Sequence, residues 1–182
     1  MVGVALLAVI TGHLRFTTTR YWVNPRLGGR LLITLLAAGT LYFLVPGAIR
    51  MYREGTALSQ FQRTRNHQQR MDAIHAAWTA DPRNPETPQR IGEIYRLASW
   101  EGLDNWRELA DEAIRWLDIA IRLNPFDAIS HYRKGMCLDW LGRPDEATVS
   151  FDESVRLDPN NHYVALMRAW HEMQRRDWVQ AR

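Results

Sequence analysis

The side chains able to do chemistry are thinly spread along this sequence. His67, His75, His131, His162 and His171 are scattered, and only His67 and His75, eight positions apart, return to about the same helical face. Zinc asks for three or four donors, and no third one accompanies that pair, so neither a metal nor another cofactor is expected. The single cysteine, Cys137, cannot close an intrachain disulfide, and its apolar helical setting reads as packing. Asp111, Glu112, Asp118, Asp145, Glu146, Asp152 and Glu153 fall at helix starts and on faces that read as solvated. No phosphate-cradling glycine loop or nucleophile elbow occurs. Catalysis needs convergent acids, bases or ligands, so the chain reads as non-catalytic.

Aromatic side chains are the better candidates. Ile129, Tyr132, Met136, Asp139 and Trp140 recur at helical spacing, and Tyr163, Leu166, Trp170 and Met173 follow a similar rhythm one segment later. Trp100 and Trp106 stand in the stretch SWEGLDNWREL, which reads as a loop. Aromatic rings with a polar edge suit contact with a peptide or a sugar, and packing against neighbouring helices is the plainer alternative.

These residues need helices to hold them, and the punctuation for helices is present. Asp81-Pro82, Asn124-Pro125 and Asp158-Pro159 divide the C-terminal part, and Pro125 and Pro159 lie 34 residues apart. Between them come Gly135, Leu138, the turn Gly142-Arg143-Pro144, then Ala147, Phe151 and Leu157. This pattern resembles the tetratricopeptide repeat family, which pairs antiparallel helices into a solenoid and displays its first helices to a bound partner. The resemblance implies an all-α domain over 56–182, with repeats at about 83–125, 126–159 and 160–182. The repeat at 83–125 exceeds the period by nine residues, a surplus expected as a longer loop within Ser99–Leu109. The repeat at 160–182 reads as truncated, with Asp177-Trp178 at its turn. Helices are predicted near 56–80, 86–98, 107–123, 127–141, 145–157 and 161–175, and no strand pattern survives the same reading. In the chaperone-tail type of this family, lysine and asparagine clamp a carboxylate. Tyr132 and Met136 occupy those places here, so that activity is not expected.

The N-terminal part obeys a different rule. Leu31–Ile49 carries no charge and, as a helix, spans about 28 Å, close to the hydrocarbon thickness of a bilayer. A membrane helix is expected over 31–50, bracketed by Arg30 and Arg50. Residues 1–14 read as a short or partial apolar helix that continues one begun upstream, and 15–30 as a basic loop. Residues 1–80 hold nine arginines against two acids, a net of +7, whereas residues 81–182 carry a net of −4. The positive charge thus flanks an apolar run instead of coating a folded face, which argues for a membrane boundary and against nucleic acid. An Arg-rich loop on the cytoplasmic side puts the residues after Ile49 across the membrane.

Two apolar helices, an Arg-rich loop, a long helix, then IGEIYRLASWEG, IRLNPFDAISHYRKGMCLDWLGRPDEA and LDPNNHYVALMRAWHEMQRRDWVQA stand in this order. That order resembles the C-terminal end of bacterial O-antigen ligase/polymerase proteins that carry tetratricopeptide repeats. The resemblance implies a place in the bacterial inner membrane and a periplasmic repeat domain. It also implies an accessory role beside lipid-linked glycan machinery. The catalytic loop of that family has no counterpart here, so no catalytic residue carries over.

Overall fold

The computed structural model describes residues 27–180, with the exception of Leu103. The expected apolar helix at 1–14 and most of the basic loop lie outside the described residues. Seven helices are present among the described residues: α1 Leu27–Arg63, α2 His67–Ala80, α3 Glu86–Trp100, α4 Trp106–Leu123, α5 Ala128–Trp140, α6 Pro144–Leu157 and α7 His162–Gln180. The chain divides into two units, Met1–Gly47 and Ala48–Arg182.

In the first unit, α1 exposes every large apolar side chain from Leu31 to Val45, with Phe43 at 80%. The one helix long and apolar enough to cross a membrane, among the described residues, is this one. Its polar atoms are handled locally: the Thr40 hydroxyl donates to the Leu36 carbonyl at 2.8 Å. Pro46 lies inside the helix, where it removes one backbone donor.

In the second unit, chain punctuation sets the repeat. Helices α2, α4 and α6 end immediately before Asp81, Asn124 and Asp158. These three residues adopt nearly the same backbone angles, φ/ψ of −139/86°, −138/89° and −137/73°. Proline at the next position disfavours the helical region, so each Asx-Pro pair makes the same exit. Asp127 then starts α5 by accepting from the backbone N–H groups of Ile129 and Ser130, both at 3.2 Å. Each helix pair α3/α4 and α5/α6 turns on a left-handed glycine, Gly102 and Gly142, both at φ 73°.

The pairs close tightly. A Cβ on Gly92 would lie 2.8 Å from Leu117 Cγ, and one on Gly135 would lie 3.0 Å from the Phe151 ring. The core runs between pairs and joins Ala113, Ile114, Leu117, Cys137, Leu138, Ala147 and Phe151. Helices α3, α5 and α7 pack in sequence, as do α4, α5 and α6. The edge at α3 is fixed by Glu54, a buried carboxylate late in α1, which accepts from Thr87 Oγ1 and Asn84 Nδ2, each at 2.7 Å.

Three expectations are corrected. The helix predicted over 56–80 is broken at Thr64–Asn66, because Asn66 caps a new helix by accepting from Gln69 N–H at 3.1 Å. The nine surplus residues do not form a long loop. They are shared among the entry to α3, α3 itself, the Glu101–Asn105 link and α4, so Trp100 ends one helix and Trp106 begins the next. Asp177-Trp178 is not a turn, since α7 runs through both to Gln180.

Candidate functional site

The first helices of successive pairs bring three tryptophans to one opening. Trp100 ends α3, Trp140 ends α5 and Trp170 lies in α7, and together they line a cavity of about 620 Å³. Each ring keeps about half its surface exposed. Met136, Met167 and Phe151 supply apolar wall, and Asp139 and Gln174 supply the polar groups. Trp106 supports the cavity from outside its lining: its ring lies 5.3 Å from that of Trp140, which in turn is 6.5 Å from Trp100. Both contacts are tilted, as aromatic quadrupoles favour.

Charge is arranged around these rings. The Arg96 guanidinium lies 4.7 Å over Trp100, and Arg107 lies 4.3 Å over Trp106. Arg96 is held in place by Glu93, donating from Nε at 2.7 Å and from Nη2 at 2.8 Å, a bidentate pair. Arg133 reaches the same carboxylate at 3.2 Å. Nearby, Tyr132 and Tyr163 meet edge to face at 5.3 Å, joining α5 to α7.

Behind the cavity lies a buried polar chain. His171 has no exposed surface, and its Nδ1 is 2.8 Å from both carboxylate oxygens of Asp139. Its Nε2 is 2.8 Å from Thr148 Oγ1, and its ring lies 5.0 Å from that of Phe151. Burial pushes the Asp139 carboxyl above the usual range, and the His171 charge and hydrogen bond pull it back. Carboxylate, imidazole and hydroxyl in a row have the order of a nucleophile relay. Here, however, the Thr148 hydroxyl donates to the Pro144 carbonyl at 2.9 Å, so its proton is not directed to the imidazole. The chain ties α7 to both helices of the preceding pair. Cys137 is also buried, which pushes its thiol up to about 12 and keeps it protonated near neutrality. No group of three or more His, Cys, Asp or Glu side chains, among the described residues, is arranged to hold a metal ion.

The sequence candidates therefore separate. Met136, Asp139, Trp140, Trp170 and Trp100 converge on the cavity, and Trp106 buttresses it. Tyr132 and Tyr163 pair with each other, while Ile129, Leu166 and Met173 are exposed outside its lining. On α7 the residues that face inward are Met167, Trp170 and Gln174, a helical face rotated by one position from the expected Leu166 and Met173. Glu93, Arg96 and His171 are additions from the structure. By residue order His171 is one of several scattered histidines, and nothing in its local sequence distinguishes it from His162.

No family model and no curated protein sequence matches the chain, so the O-antigen ligase resemblance has no counterpart in these comparisons. Solved structures do match. The first TPR domain of the human RPAP3 protein aligns with a TM-score of 0.56 and 16% identity, over 74% of this chain and 98% of that one. The first TPR of Spaghetti (RPAP3), bound to the HSP90 peptide SRMEEVD, aligns with a TM-score of 0.56 and 17% identity, over 70% and 93%. MamA MSR-1 C2 aligns with a TM-score of 0.46 and 25% identity, over 60% and 58%. At 16 and 17% identity the first two likenesses are of fold alone: the repeat region shares the stacked helical-hairpin architecture of those TPR domains, and its three Asx-Pro exits recur with matching angles.

Proposed function

We propose that this chain is a non-catalytic, membrane-anchored interaction module whose first-helix face binds a peptide segment of a partner protein. The observation that carries this reading is the cavity lined by Trp100, Trp140 and Trp170, half-exposed indoles contributed by three different helices. Such rings are the side chains that dominate recognition energies, and the Trp100 and Trp140 rings are already ordered by packing. A structural neighbour solved with a bound peptide supports a peptide as the partner. The anchoring half of the proposal rests on α1, whose apolar side chains from Leu31 to Val45 lack protein cover and are followed by exposed Arg53. The basic loop before α1 favours placing the repeats on the opposite side of the membrane from that loop, and the assignment to the periplasmic side of a bacterial inner membrane rests on the sequence resemblance. An accessory role beside lipid-linked glycan machinery is the narrower form of this proposal and rests on the sequence resemblance alone.

The test uses the full chain in a non-ionic detergent and a displayed library of short random peptides. Enrichment on the wild type that is lost on the Trp140→Ala/Trp170→Ala double variant, with unchanged helical circular dichroism, supports the groove. Failure to enrich any sequence, or enrichment indifferent to both tryptophans, refutes it. For the anchor, the chain should float with liposomes, and a periplasm-only reporter fused after Arg182 should be active. A chain left at the bottom of the gradient would refute anchoring.

A further inference from the structure

We propose that the tryptophan cavity selects a cationic side chain, lysine or arginine, in the bound segment. This deepens the peptide-binding proposal and depends on it. Among the eight residues lining the cavity, Asp139 alone carries a formal charge, and the residues from Asp81 to Arg182 are net negative by four. The negative faces of three indole rings attract cations, and Asp139, whose carboxylate is held by His171 Nδ1 at 2.8 Å, sets the only formal charge of the lining beside them. This same row of indoles already accepts guanidinium groups. Arg96 lies over Trp100 and Arg107 over Trp106, at 4.7 and 4.3 Å. Among the described side chains no cation lies over Trp140 or Trp170, which line the cavity together with Asp139.

The walls suit the rest of such a residue. Met136 and Met167 offer polarisable, adaptable surface to a lysine or arginine stem, whose methylenes bury readily while the charged head finds a partner. At about 620 Å³ the cavity has room for that side chain and the backbone flanking it. An acidic segment would instead bring its carboxylates against the negative faces of three indoles with Asp139 beside them. The selectivity is thus opposite in sign to that of a groove built to hold a carboxylate.

The same peptide library decides the matter. Enriched peptides should share a lysine or arginine. Replacing that residue by norleucine, which keeps the stem and removes the charge, should weaken binding at least tenfold, and replacing it by glutamate should weaken it further. Trp170→Leu and Asp139→Asn should each erase the difference between lysine and norleucine while the domain still melts cooperatively. Enriched peptides that lack a basic residue, or that bind equally well with norleucine, would overturn the selectivity and leave the peptide groove standing. An empty selection would overturn both.

Discussion

His171→Leu removes the imidazole that clasps α7 to the preceding helix pair while keeping most of its apolar volume. The Asp139 side chain is only 10% exposed and loses its sole partner among the described side chains. Removing one member of a fully buried hydrogen-bonded pair costs about 3–5 kcal/mol. Asp139 retains some exposure and can escape by taking up a proton, so about 2–3 kcal/mol is the expected loss at neutral pH. Replacing both members, Asp139→Leu with His171→Leu, leaves no orphaned carboxylate and should recover to within roughly 1 kcal/mol of wild type. In stacked repeats the loss is borne by the terminal element, so backbone amides of α7 should exchange roughly 30- to 150-fold faster in the single variant. The pH sign follows from the raised carboxyl. In the single variant the folded-state pKa of Asp139 lies above its unfolded value, so stability is fullest in acid and declines as pH rises through the folded pKa. Hydrogen exchange with mass spectrometry and urea titration of the full chain in detergent give both readouts. If the single and double variants lose equally, or if acid brings no recovery, the carboxylate is not what the histidine compensates.

Two further outcomes rest on packing and burial. Gly92→Ala forces a Cβ to 2.8 Å from the buried Leu117 and 3.2 Å from the Ala113 carbonyl, an overpacking of about 1–3 kcal/mol that outweighs the roughly 1 kcal/mol gained in helix propensity. Gly55→Ala, with nothing within 4 Å, should instead stabilise by about 0.5–1 kcal/mol, and chemical denaturation of the two variants should give opposite signs. The Cys137 thiol rises from 9.0 to about 12 on folding, so its contribution is intact below pH 9 and is lost as pH climbs towards 12. Near pH 10.5, under reducing conditions, this amounts to about 2 kcal/mol. The melting temperature of Cys137→Ala should fall less steeply over that interval, and parallel curves would show that the thiol stays accessible to base.

Several features were legible in the residue order because they are local. The three Asx-Pro pairs set three helix exits with almost the same angles, since proline restricts the residue before it wherever it occurs. Gly135, Ala147 and Phe151 announced a close helix pair through size alone, and the Phe151 ring does lie against Gly135. The apolar run in α1 was equally plain, because hydrophobicity needs no partner to be read. Local signals also misled where two were in competition. Periodicity carried 56–80 through as one helix, but the Asn66 cap ends that continuity, and a cap's effect depends on which amides are left unsatisfied around it.

That the chain is a repeat of small-faced helix pairs following an apolar stem could be read from residue order, because those properties reside in neighbouring residues and fixed spacings. Which side of each helix lines the cavity emerged from the packing of the folded chain. One position along a helix is a rotation of about 100°, so Met167 and Gln174 face the cavity while Leu166 and Met173 do not. The same packing brings His171, 32 residues from Asp139 in the chain, to meet it at 2.8 Å. Such a pairing arises from the angle at which one hairpin stacks on the next, and that angle is the sum of many contacts, none of which is written at either residue.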